Sequence, residues 1–149
     1  MDIKAALMEP KTWVTVGSVV LILILGLGPL MTGLEGGTDH ADSEHSEFME
    51  TLTDDNKEAF VDIVNQELFV FGLWNVTICL IFLAMVNLTD GETQAKLAMV
   101  AAGSLLFVSG VGGYTVNGDA YFTEWVSLCA ILAAPMLITG YMKLNADEE

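Results

Sequence analysis

The residues of this 149-residue chain best suited to chemistry sit in one short stretch, Asp39-His40-Ala41-Asp42-Ser43-Glu44-His45. It holds both histidines of the protein and three carboxylates. Imidazole nitrogen together with carboxylate oxygen suits zinc, copper or iron. His40, His45, Asp39, Asp42 and Glu44 are therefore the candidate ligands of a divalent metal. Their spacing follows no particular ligand motif. His40 and His45 are five apart, whereas two side chains share a helix face best at i, i+4. Gly36-Gly37 precedes the stretch and leaves the ligands unorganised in the free chain, so ordering them costs entropy. Weak binding is expected, tighter where another chain closes the site. The competing reading is a solvated acidic loop with no cofactor. Elsewhere no glycine-rich phosphate loop carries a lysine, and no metalloprotease helix motif or arguable Ser/His/Asp order occurs. Haem between helices needs histidines inside the apolar segments, and there are none. The chain reads as a non-enzyme.

The elements that must hold this stretch are apolar and long. Four segments, 13–34, 68–88, 97–116 and 125–142, are predominantly hydrophobic in a chain that is 53% hydrophobic. A helix crosses the hydrocarbon layer with about 17–25 such residues. The expected fold is all-α: a polytopic membrane protein, a four-transmembrane-helix bundle forming one domain over 1–149. An acidic, partly helical extracytoplasmic loop spans 35–67. The first segment is too long for a signal-peptide core and lacks a small-residue cleavage site after it, so it reads as a retained span. The chain has no arginine, five lysines and twenty acids, for a net charge of −15. Nucleic acid requires a basic footprint and is excluded as a partner. Membrane lipids are partners of the spans, although anionic headgroups suit the acidic loop poorly.

Lysines set the orientation. Lys4 and Lys11 precede the first span, Lys96 lies between the second and third, and Lys143 follows the fourth. With four spans all of these fall on one side. The other side receives loop 35–67, which has eleven acids and only Lys57, and the link 117–123, which has no lysine. The positive-inside rule then places both termini in the cytoplasm. Trp13, Tyr114, Tyr121, Trp125 and Tyr141 agree, since aromatic rings gather at span ends. Trp74, two turns into its span, does not follow this pattern.

No Asp, Glu, Lys or Arg lies well inside any span. Intramembrane charge is the usual mark of pumps and proton-coupled transporters, so those classes are disfavoured. Asn75 is the strongest remaining polar residue and is expected to bond between helices. The third span is rich in small residues, Gly103, Gly110 and Gly113 among them. Small residues let helix backbones approach closely. This span is expected at the centre of the bundle or docked on a partner. Gly26-Leu27-Gly28-Pro29 should bend or unwind the first span, and Pro135 the fourth. Cys79 and Cys129 read as two buried small hydrophobes, not a disulfide. In the loop, Phe48, Met49 and Leu52 form a short apolar stripe. Thr53 or Asp54 then caps a helix whose pattern of Phe60, Val61, Ile63, Val64 and Leu68 runs on into the second span.

Asn65-Gln66, Gly72-Leu73-Trp74-Asn75, Ser109-Gly110-Val111-Gly112-Gly113-Tyr114 and Ala134-Pro135 together resemble small four-helix membrane proteins of the DoxX-like kind. The likeness covers residues 65–140. The chain departs from that group in its long acidic insert and its lack of arginine. The resemblance implies an accessory membrane subunit associated with quinone-linked or thiol-oxidising respiratory assemblies, and it transfers no catalytic residue. The leading expectation is thus a non-catalytic accessory or scaffold subunit of a larger membrane complex, such as an energy-transducing oxidoreductase. Its partners would be other membrane subunits or further copies of itself. The rivals are a metal-binding or metal-delivery protein using His40 and His45, and a small transporter or channel for an uncharged solute.

Overall fold

A computed structural model describes the backbone of residues 3–146 and the side-chain surroundings of all of these except 112–125. Among the described residues every regular element is helical. The order is α1 (Ile3–Leu7), α2 (Pro10–Leu21), a π-helical run over Ile22–Leu27, α3 (Gly28–Glu35), α4 (Asp39–Glu44), α5 (Ser46–Glu50), α6 (Asp54–Leu88), α7 (Gly91–Phe107), a π-helical turn over Val108–Gly112, and α8 (Gly113–Ala146). Four stretches are long and apolar enough to cross a membrane: Pro10–Glu35, Asp54–Leu88, Gly91–Val111 and Val126–Ala146. The link expected at 117–123 is helical backbone joined to the fourth stretch, and its side chains lie outside the described residues.

Burial runs opposite to that of a water-soluble fold. Only 22%, 17%, 28% and 33% of the most apolar part of each stretch is covered by the protein itself. Leu23, Phe71, Leu80, Val100, Phe107 and Ile131 are among the large apolar side chains left exposed. In water such a surface is unfavourable at roughly 25 cal/mol per Å². In a bilayer it faces a solvent as apolar as itself. This pattern makes the chain a multi-pass membrane protein.

The chain packs as two compact units, one of Met1–Ser18 with Leu80–Glu149 and one of Val19–Cys79. In the first, α7 and the second half of α8 run antiparallel. Gly140 near the end of α8 lies against Ala95 and Met99 near the start of α7, and a Cβ there would come within 2.9 Å of Ala95 O and Met99 Cγ. The contact surface of α7 is mostly alanine: Ala95, Ala98, Ala101 and Ala102 are buried with Val14, Val86, Ala133 and Met136. Small side chains let the two backbones close up, which supplies the packing that drives helix association in lipid. Gln94, 6% exposed, ties off the preceding turn by donating its amide to Val86 O (3.1 Å) and Thr89 O (2.8 Å). These carbonyls end α6 and have no partner further along the helix. Gly91 takes φ +50° in the same turn, a left-handed conformation that a side chain disfavours. At the far end Lys143 Nζ meets Glu9 Oε2 at 2.6 Å across 134 residues. The start of the first stretch and the end of the fourth are therefore neighbours, which an even number of crossings allows. Cys79 and Cys129 are both buried and free.

In the second unit the end of the first stretch lies backbone against backbone with residues 65–76 of the second. A Cβ on Gly33 would sit 2.5 Å from Asn65 O and 2.6 Å from Phe69 N. One on Gly72 would sit 2.6 Å from both Gly26 O and Leu30 N. The expected distortion at Gly26-Leu27-Gly28-Pro29 is present as the π-helical run that ends where Pro29 enters. Proline cannot donate to the carbonyl four residues back and its ring crowds that oxygen; a widened turn relieves both conditions. α6 is 35 residues long, about 52 Å at 1.5 Å per residue, against about 30 Å of hydrocarbon. Its first turns must therefore stand outside the bilayer. They begin at Thr53, whose carbonyl accepts the Lys57 N–H at 2.9 Å.

Candidate functional site

The histidine-carboxylate stretch is not the unorganised loop that Gly36-Gly37 predicts. Gly36 ends α3 in the left-handed region, at φ 65°, a helix terminus that glycine adopts without strain. The chain then re-enters a helix almost at once. Thr38 O accepts the Asp42 N–H at 2.9 Å, and Asp39 and Asp42 place negative charge at the N-terminal turn of α4, where the helix dipole favours it. Ala41, 1% exposed, pins α4 to a small core of Met49, Val61 and Val64, flanked by Leu52, Phe60 and Leu68. The expected apolar stripe of the loop thus folds back on the projecting turns of α6. That buried satellite core, absent from a simple linker, overrides the flexibility that local composition implies.

This fold separates the five candidate ligands. Asp39, Asp42 and Glu44 are exposed and His40 is half-buried. His45 interrupts the helix between α4 and α5 at φ −129°, ψ 26°. Its ring is held against Phe60 at 5.6 Å and 80°, while Phe48 meets the Phe60 ring at 5.1 Å. Among the described residues no three His, Cys, Asp or Glu side chains converge as a metal would require. His40 and Glu44, at i and i+4, share a helix face; the other members do not join them.

The expected packing residues are also redistributed. Asn75 Nδ2 donates to Phe71 O of its own helix at 2.8 Å, so its expected bond between helices is replaced by one within α6. Among the described residues, Gly103 and Gly110 have nothing within 4 Å of where a Cβ would stand. Gly113 lies outside the residues whose surroundings are described. The glycines that do bring helices together are Gly26, Gly33 and Gly72 in one unit and Gly140 in the other.

Asn65, quoted above only for the resemblance, is the residue whose buried role sequence reasoning passes over. It is 6% exposed, and its Nδ2 donates to Gly37 O at 3.1 Å across 28 residues. That bond fixes the turn between α3 and α4 to α6. Its Oδ1 is buried and has no partner among the described residues. The signal was a polar residue one turn past Val61 and one before Leu68, on an otherwise apolar stripe. Comparison with protein-family models, with curated proteins and with solved structures found no match.

Proposed function

We propose that the protein is a non-catalytic integral membrane subunit, an accessory or scaffold component of a larger membrane complex. Both termini are cytoplasmic in this reading and the acidic loop 35–67 lies outside. The observation that carries it is a contrast among glycines. Gly17, Gly26, Gly33, Gly72 and Gly140 are each met by atoms of the chain itself, whereas Gly103 and Gly110 stand open among the described residues. Around the open pair Val100, Phe107, Val108 and Val111 are 59%, 67%, 67% and 50% exposed. Small residues beside large apolar ones give a surface on which another transmembrane helix can pack closely. The occupant is another membrane subunit or a second copy. The DoxX-like resemblance favours a respiratory assembly as the setting. The folded acidic loop supplies a charged outer surface for the same partner.

A Gly103→Leu/Gly110→Leu double variant tests this. The chain's own stability in detergent should stay within about 0.5 kcal/mol of wild type, as for substitutions away from internal contacts. Co-migration with its partner on a native gel should be lost. Unchanged co-migration, or collapse of the isolated chain, contradicts the reading.

A further inference from the structure

The first helix of the chain lies outside every apolar stretch, yet carries large apolar side chains in the open. Ile3 is 72% exposed, Leu7 46% and Met8 43%. Ile3 and Leu7 stand at i and i+4, on one face of α1. Lys4 and Lys11 flank them. Two hydrogen bonds fix this segment beside the start of the first stretch: Thr12 Oγ1–H donates to Ala6 O at 2.7 Å and Trp13 Nε1–H to Leu7 O at 2.8 Å. They occupy carbonyls at the end of α1 that the helix cannot satisfy itself. Indole rings settle at the headgroup level of a bilayer. Bonded to Trp13, the end of α1 is held at that level too.

We propose that residues 3–13 form an interfacial anchor whose occupant is the phospholipid leaflet on the terminal side of the membrane. Ile3, Leu7 and Met8 enter the acyl boundary, and Lys11 extends its ammonium to a lipid phosphate. Three observations select lipid over a protein partner. Leu7 is three residues from Pro10, where the first membrane-crossing stretch begins, so the leaflet is already within reach. The exposed Lys11 matches phosphate in charge. The Glu9 carboxylate, which would repel phosphate, is engaged by Lys143 at 2.6 Å. The proposal rests on Pro10–Glu35 being a membrane span.

The test uses the full chain, with Cys79 and Cys129 replaced by alanine, in phosphatidylcholine vesicles with and without phosphatidylglycerol. Nitroxides are attached at Leu7→Cys, at Leu80→Cys as a span position and at Ser46→Cys as a loop position. Oxygen reports lipid exposure and a water-soluble nickel chelate reports aqueous exposure. The Leu7 probe should be open to oxygen and shielded from nickel, like the Leu80 probe and unlike the Ser46 probe. Adding Ile3→Asp should move the Leu7 probe into water. A Leu7 probe open to nickel, or closed to both reagents as under a protein partner, while the Leu80 probe is in lipid, would overturn the anchor alone. A Leu80 probe in water would overturn the span reading and the anchor together.

Discussion

Gly72→Ala and Gly33→Ala should each destabilise the protein, although each adds a single methyl group. At Gly72 the new carbon would lie 2.6 Å from Gly26 O and from Leu30 N; at Gly33 it would lie 2.5 Å from Asn65 O and 2.6 Å from Phe69 N. All of these are backbone atoms, so no rotamer change can relieve the overlap. The two helices must separate along their contact, which forfeits dispersion over many atom pairs. Overpacking typically costs about 1–3 kcal/mol, and a rigid backbone neighbour puts these variants at or above the upper end. Gly17→Ala is the matched control. Its new carbon would overlap only Met136 Cε, the far end of a flexible side chain, and methionine repacks readily. Unfolding in mixed micelles should show large losses for the first two variants and a loss under about 1 kcal/mol for the third. Similar losses at all three positions would mean that the close backbone contact is wrong.

Asn65→Asp should be the second severe substitution, and its effect should depend on pH. The amide donates to Gly37 O at 3.1 Å. An ionised carboxylate would instead set two acceptors against each other in a buried place. Removing one partner of a buried hydrogen bond costs about 1–3 kcal/mol, and more for a charged group. Burial raises the folded-state pKa of the introduced acid above its unfolded value of about 3.9. Below that unfolded value the group is neutral in both states and its O–H can donate to Gly37 O. The penalty therefore grows as pH rises from about 4 and levels off above the raised folded pKa. Asn65→Ala should cost about 1 kcal/mol with no such dependence. Denaturation of the two variants at pH 4 and pH 8 separates the cases. A pH-independent Asn65→Asp loss would remove Asn65 from its buried position.

What the sequence made legible follows from which interactions are local. The four apolar stretches were readable because a single helix must span the bilayer by its own composition. The unbroken passage from Asp54 into the second stretch was readable because Val61, Val64 and Leu68 keep helical spacing across the boundary. The partners of the small residues were not readable. Glycine records that a close approach is permitted, not which helix makes it: Gly103 and Gly110 look as suitable as Gly33 and Gly72, yet among the described residues only the latter pair is filled within the chain. Asn75 misled in a similar way. A carboxamide can return to the carbonyl four residues back, and α6 uses that option. The α4–α5 segment was hidden because its order comes from Ala41 and Met49 reaching α6, a tertiary effect that outweighs the two glycines before it. Asn65 was hidden for the same reason, since Gly37 is 28 residues away.

We propose a chain of four crossings with its ends in the cytoplasm and its acidic loop outside. Lysine distribution carries the orientation, and the Glu9–Lys143 pair brings the two ends together. Single cysteines at Ser46, Thr93 and Asn145, all exposed positions, in a background without Cys79 and Cys129, test it in intact cells with a membrane-impermeant maleimide. Ser46→Cys should react from outside, while Thr93→Cys and Asn145→Cys should react only after the membrane is permeabilised. Reaction of the Ser46 and Thr93 positions from the same side would contradict it.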